Sequence, residues 1–152
     1  MRVALDTNIL AYAEGMNGAE MQDAALTLIQ ALPREGTLVA VQTLGELFNL
    51  LVRKAGRTRS DARAAILSWA DSFASIETTP TVMFAAARIA ADHRMGLWDA
   101  VILAAAGTAD CRLLLSEDMH DGLTWSGVTV ANPFATSRHP LLAGLLGDAS
   151  SL

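Results

Sequence analysis

The sequence predicts an α/β fold, with short parallel strands covered by helices. Three observations carry that expectation. Short apolar, partly β-branched segments alternate along the chain with segments of helical period, the pattern of βαβ units. The opening run Met1-Arg2-Val3-Ala4-Leu5 reaches Asp6 almost at once, and Thr7-Asn8 precede a new apolar segment. That is the shape of a buried strand that ends on a carboxylate and turns into a helix. Finally, 152 residues that are 52% hydrophobic suit one domain with a sizeable core. No internal repeat, low-complexity segment or interdomain linker interrupts the pattern.

Val3 to Leu5 is the first predicted strand, and Ile9 to Glu14 reads as a short helix closed by Gly15. Across Ala19 to Leu32, the residues Met21, Ala24, Ala25, Leu28, Ile29 and Leu32 recur at helical spacing until Pro33 stops them. Thr37 to Val41, apolar and β-branched, is the second strand. Thr43 to Ala55 is a helix ended by Gly56, and Ser60 to Phe73 is another, with Ser60 as N-cap and Asp61 in the first turn. Ser75 to Thr78 is a short strand. Thr79-Pro80 opens the next helix with a cap and then a proline, and it runs to about Arg94 before Gly96. Asp99 to Ala109 is an alanine-rich, strongly apolar helix. Arg112 to Leu115 and Val128 to Ala131 are the last strands, the second ended by Asn132-Pro133. In the tail, residues 135–152, Leu141, Leu142, Leu145 and Leu146 lie between Pro140 and Gly147. They suggest a short helix that docks on this domain, on a second copy or on a partner.

Composition excludes several classes. No apolar stretch approaches the roughly 18–20 residues of a membrane helix. Arg2 and Asp6 flank the first apolar run, which therefore does not read as a signal peptide. The single cysteine, Cys111, excludes an internal disulfide and a cysteine-rich zinc site, and reads as a small buried hydrophobe. A cytoplasmic protein is the expectation. The net charge of -5 argues against a simple electrostatic DNA binder. Any attraction to nucleic acid must come from a local basic patch, bound metal or a second protein.

In an open parallel sheet, functional groups gather beyond the C-terminal ends of the strands. Four acids fall there. Asp6 follows the first strand, Glu46 lies early in the helix after the second, Asp99 starts the helix after Gly96, and Asp118 follows Arg112 to Leu115. Each also has a purely structural reading. Asp6 or Asn8 caps the first helix, Thr43-Leu44-Gly45-Glu46 matches a capping box, Asp99 is an N-cap, and Asp118 supports a helix start. Taken jointly, the strand ends would bring the four carboxylates to one edge. Crowded carboxylates repel, so some must protonate or share a cation. An all-oxygen set without His or Cys suits Mg²⁺ or Mn²⁺ rather than zinc. The implied chemistry is in-line attack of an activated water on a phosphodiester.

The one dense basic run is Arg53-Lys54-Ala55-Gly56-Arg57-Thr58-Arg59. Arg53, Lys54, Arg57 and Arg59 are candidate RNA phosphate contacts; the structural alternative is that Arg53 and Lys54 complement a helix C-terminus and the rest is a solvated loop. His93, His120 and His139 are too scattered for a site, with His120 near Asp118 the only candidate among them. Trp69, Phe73, Phe84 and Trp98 are expected in the core or an interface, and the methionines as core filler.

At these residues the chain resembles the PIN-domain family, and within it the VapC-type toxins of bacterial toxin–antitoxin pairs. The matching pieces are Leu5-Asp6-Thr7-Asn8-Ile9-Leu10, Glu46, Leu97-Trp98-Asp99-Ala100-Val101-Ile102 with Ala104-Ala105-Ala106, Leu114-Leu115-Ser116-Glu117-Asp118-Met119, and Gly127-Val128-Thr129-Val130-Ala131-Asn132-Pro133-Phe134. They span about residues 1–134, expected as the nuclease domain. The resemblance implies a three-layer α/β/α sandwich around a parallel sheet. It also implies Mg²⁺- or Mn²⁺-dependent endoribonuclease activity, inhibition by a cognate antitoxin protein, and a homodimer. By position, Asp6, Glu46, Asp99 and Asp118 match the family's acidic metal-binding quartet. Ser116 matches a small hydroxyl residue two before the last acid, and Asn8 a polar residue near the site. Whether Glu117 or Asp121 shares the work of Asp118 stays open.

Two rivals belong to other classes. A haloacid-dehalogenase-type phosphatase also ends its first strand on an Asp, but has a second Asp where this chain has Asn8, and a lysine without evident counterpart here. A non-catalytic PIN-like module would bind RNA or protein only; the intact quartet disfavours it.

Overall fold

The computed structural model describes residues 1–147, so residues 148–152 of the predicted tail lie outside the described residues. Five strands, β1 (Arg2–Leu5), β2 (Thr37–Ala40), β3 (Ala74–Ile76), β4 (Cys111–Leu115) and β6 (Val128–Ala131), run parallel. A sixth, β5 (Thr124–Trp125), pairs antiparallel with β6 at one edge, and the order is β3-β2-β1-β4-β6-β5. The helices are α1 (Thr7–Ala13), α2 (Ala19–Ala31), α3 (Val41–Arg53), α4 (Arg59–Ser72), α5 (Pro80–His93), α6 (Leu97–Thr108) and α7 (Pro140–Leu146).

The sheet divides the core into two apolar clusters because side chains alternate across each strand. Val3 and Leu5 of β1, Val39 of β2, and Leu113 and Leu115 of β4 join one cluster with residues of α1, α2, α3, α4 and α7. Ala4, Leu38, Ala40 and Leu114 face the other way, into a cluster filled by α5 and α6. Helices therefore cover both faces, giving three layers. Helix α6 is apolar all round, buried continuously from Ala100 to Ala106, as its alanine-rich sequence requires.

The central sheet is parallel as expected, and strand β5 adds an antiparallel edge that the sequence did not reveal. It is two residues long, too short for a periodicity to register. Its hairpin turn, Ser126-Gly127, has positive φ at both positions (48° and 83°), as a tight two-residue hairpin demands. Trp125 then lies on α6 so closely that a Cβ on Gly107 would meet its ring at 2.7 Å.

Several boundaries also move. Helix α1 starts at Thr7, and Thr58 rather than Ser60 caps α4, accepting from the Asp61 N–H at 3.0 Å. The Thr43–Glu46 capping box does not form. Helix α3 begins two residues earlier behind Ala40, which offers no side-chain cap, and Thr43 is buried inside the helix with its hydroxyl unpartnered. Glu46 is thereby released from a backbone role. Asp99 is likewise not an N-cap but sits in the first turn behind Gly96, and no helix starts at Asp118, the next element being β5. Phe84 and Trp98 are 72% and 52% exposed, so neither fills the core. Trp69 and Phe73 stack on each other beneath α4. Helix α7 docks on this domain, with Leu142 fully buried in the cluster of α1 to α4. Among the described residues, no helix is long and apolar enough to cross a membrane.

Candidate active site

Strand β1 lies between β2 and β4, so the chain builds first to one side of it and then to the other, and the strand order reverses here. The crevice outside such a switch point is where open α/β sheets bind ligands. Asp6 sits there, only 2% exposed, at the end of β1. Its backbone N–H donates to the Leu115 carbonyl of β4 at 2.9 Å, tying the two strand ends together. One carboxylate oxygen, Oδ1, caps α1 by accepting from the Thr7 N–H at 2.7 Å. The other, Oδ2, accepts from the Ser116 hydroxyl at 2.7 Å. The capping and functional readings of Asp6 thus concern different oxygens of one group.

Ser116, fully buried just past β4, also lies 3.0 Å from Oδ1 of Asp118. A hydroxyl carries one proton. It therefore serves one carboxylate at a time, while its oxygen accepts from the Met119 N–H at 3.2 Å. Burial pushes the Asp6 pKa from 3.8 up to about 7, against the lowering effect of the Ser116 and Thr7 bonds, and the charges of Asp118 and Asp99 push the same way. Asp99 is also raised, by burial first and then by the charges of Asp118 and Glu46. Glu46 is held from both sides: Thr7 Oγ1 donates to it at 2.7 Å and Gln42 Nε2 at 3.2 Å.

Asp6, Glu46, Asp99 and Asp118 all line one cavity of about 380 Å³, with Thr7, Asn8, Asn49, Leu50, Arg53 and Lys54. The donor set is entirely oxygen, and the charges of its neighbours raise the pKa values of Asp6 and Asp99, which is the electrostatic condition a hard cation relieves. Among the described residues, no three acidic, histidine or cysteine side chains close into a ready-made ion cage. A cation of the Mg²⁺ kind suits such a spread set, since it keeps several waters and takes one or two carboxylates with substrate phosphates. Asn8 presents a buried amide Nδ2 with no partner, while its Oδ1 accepts weakly from the Glu117 N–H at 3.4 Å.

The remaining candidates separate. Glu117 turns away from the cavity and accepts a hydrogen bond from the Tyr12 hydroxyl. Burial, with that bond and the charges of Glu117 and Asp118, pushes the Tyr12 pKa up to about 12. Asp121 accepts from the Asn132 N–H at 2.9 Å. Neither acid lines the Asp6 cavity. Of the basic run, Arg53 and Lys54 reach the cavity. Arg57 instead grips Glu14, with Nη1 on its carboxylate and Nη2 on its carbonyl, both at 2.6 Å. Arg59 stands exposed at the start of α4. Cys111 is buried, which pushes its thiol up to about 11. Thr7 and Gln42 were not anticipated. The spacing of Gln42 four residues before Glu46 on one helix face could have revealed the second.

A family model described as PIN domain matches residues 3–120. No curated protein matches the chain. Among solved structures, VapC20 of Mycobacterium tuberculosis, a sarcin–ricin loop cleaving toxin, is similar with a TM-score of 0.65 and 20% identity over 76% of this chain and 89% of that one. A toxin–antitoxin complex from Klebsiella pneumoniae also gives a TM-score of 0.65 at 20% identity, covering 87% and 98%. VapBC2 from Rickettsia felis, bound to a DNA fragment from its promoter, gives 0.63 at 14% identity, covering 87% and 98%. At such identities the likeness is one of fold. The family match is of another kind: it runs through Asp6, Glu46, Asp99 and Asp118, and this chain belongs to the PIN domain family.

Proposed function

We propose that this chain is a divalent-cation-dependent endoribonuclease acting as the toxin of a toxin–antitoxin pair. The observation that carries the reading is the convergence of Asp6, Glu46, Asp99 and Asp118, from four distant stretches, on one cavity at the switch point of the sheet. Asp6, Glu46, Asp99 and Asp118 would hold Mg²⁺ or Mn²⁺. When bound, the ion supplies charge neutralisation at the phosphodiester and acidifies a water.

The chain's own residues divide the remaining work. Ser116 fixes Asp6 and Asp118 relative to each other. Thr7 and Gln42 hold the Glu46 carboxylate in one orientation. Asn8 offers an unused amide donor for a phosphate oxygen, and Arg53 and Lys54 bring positive charge to the same cavity. The nuclease unit is residues 1–134, with α7 as a docked extension. The solved toxin–antitoxin complexes of the same fold support a cognate antitoxin protein as partner, and the reading includes a homodimeric form and a cytoplasmic site of action. The decisive test is RNA cleavage with Mg²⁺ or Mn²⁺, in the presence and absence of chelator, by the parent and by Asp6→Asn. Cleavage that survives in a folded Asp6→Asn protein would overturn the assignment.

A further inference from the structure

A second cavity, of about 400 Å³, adjoins the first and shares Asp99 and Asp118 with it. Its other lining includes His93, Arg94 and His120, with Met119. The two acids therefore stand as a ridge between two hollows that each carry cations, Arg53 and Lys54 on one side and Arg94 on the other. Arg57, Arg2 and Arg34 each donate to protein oxygens, at 2.6, 2.8 and 3.3 Å. The side chains of Arg53, Lys54 and Arg94, by contrast, make no hydrogen bond or ion pair among the described residues. Arg94 is also presented by an unusual backbone. It ends α5 in the left-handed region, with φ 53°, where glycine or asparagine is the ordinary choice.

We infer that Arg94 is a binding residue for an RNA phosphate next along the strand from the cleaved one, and that the strand crosses the Asp99–Asp118 ridge from the Arg53–Lys54 hollow into the Arg94 hollow. This rests on the ribonuclease reading above. A polyanion approaching a cavity lined by four acids on a protein of net charge -5 needs cations close to its backbone on both sides. Arg94 reaches a phosphate without first breaking an ion pair. Its planar guanidinium suits two phosphate oxygens at once. His93 and His120 supply flat, polar ring faces along the same wall.

The test measures binding of a labelled, mixed-sequence single-stranded RNA oligonucleotide to Asp6→Asn protein, with and without Arg94→Gln, across a salt series. Arg94→Gln is expected to weaken binding roughly three- to tenfold and to reduce the slope of log affinity against log salt by about 0.7, one single-strand phosphate contact. Arg94→Lys should keep the slope. Arg63→Gln, an exposed cation on α4 outside both cavities, should change neither. In the active protein, Arg94→Gln should raise KM for the oligonucleotide more than it lowers kcat, and should have no effect on a dinucleotide too short to span the ridge. Unchanged affinity and slope in Arg94→Gln, or an equal effect on the dinucleotide, overturns the inference while leaving the ribonuclease reading intact. A parent protein that cleaves no RNA with either metal ion fails that reading first, and this inference with it.

Discussion

Two groups of acidic side chains show opposite solutions to the same problem. Glu14, at the end of α1, has every demand met: Arg57 donates to its carboxylate and its carbonyl, and Trp69 Nε1 donates to Oε2 at 3.0 Å. That cluster pins the end of α1 to α4 and to the loop after α3, and its charges cancel. At the cavity, burial pushes up the pKa values of both Asp6 and Asp99; the charges of Asp118 and Asp99 add to it at Asp6, and those of Asp118 and Glu46 at Asp99. Arg53 and Lys54 are near but form no ion pair with them. The same chain thus pairs a carboxylate fully where the role is structural, and leaves carboxylates under electrostatic pressure where a ligand can relieve it. Perturbed acids gathered in a cleft are a mark of function on physical grounds.

The largest effect should come from breaking the unpaired group. Asp6→Asn keeps an N-cap, because asparagine caps as well as aspartate, so the protein should fold. Its metal-dependent cleavage of RNA should nevertheless fall by at least about 100-fold, read as kcat/KM in a gel or fluorescence assay.

Next comes the pH dependence of the metal-free protein. The folded pKa of Asp6 lies near 7, above its ordinary 3.8. Between these values the folded state holds a proton that the unfolded chain has released, so stability falls as pH rises from about 4 to 7 and is level beyond. Each pKa unit of difference corresponds to about 1.4 kcal/mol. The Tm of the parent relative to Asp6→Asn should therefore drop across that window, and a flat difference would contradict the burial of an ionisable group there.

Adding Mg²⁺ or Mn²⁺ at about 100 times its Kd should stabilise the parent by about 2.7 kcal/mol, visible as a raised Tm near neutral pH. Asp6→Asn and Asp99→Asn should lose most of that gain. The smallest change belongs to the paired cluster. Arg57→Ala should cost about 1–3 kcal/mol in denaturant unfolding, through the lost charge-assisted bonds to Glu14. It should leave RNA affinity within about twofold, since Arg57 is already committed to the protein. A strong loss of RNA binding in Arg57→Ala would erase the contrast between the two clusters.

Much of the fold was legible. The apolar period located β1, β2, β4 and β6 within a residue or two, and the acids just beyond β1 and β4 were visible because strand ends dictate where loops begin. The exceptions have specific causes. Strand β5 is only two residues long, and the signal was the Ser126-Gly127 turn rather than any pattern of side chains. The Thr43–Glu46 motif has the spacing of a capping box, yet α3 grows straight out of β2, so the motif falls inside the helix. Arg57 stands in a basic run that suggests nucleic acid, but Glu14 is 43 residues away in sequence and its proximity is a tertiary fact.

By itself the sequence determined the periods, the breaks, the four acids and their all-oxygen chemistry, because these depend only on residue type and local spacing. The tertiary structure alone decided which charges meet. Strand order placed Asp6 beside Ser116 and Asp118, packing turned Glu46 toward Thr7, and the docking of α4 drew Arg57 to Glu14 and away from the cavity. Electrostatic energy depends on distance through space and on burial, and neither is written in the order of residues along a chain.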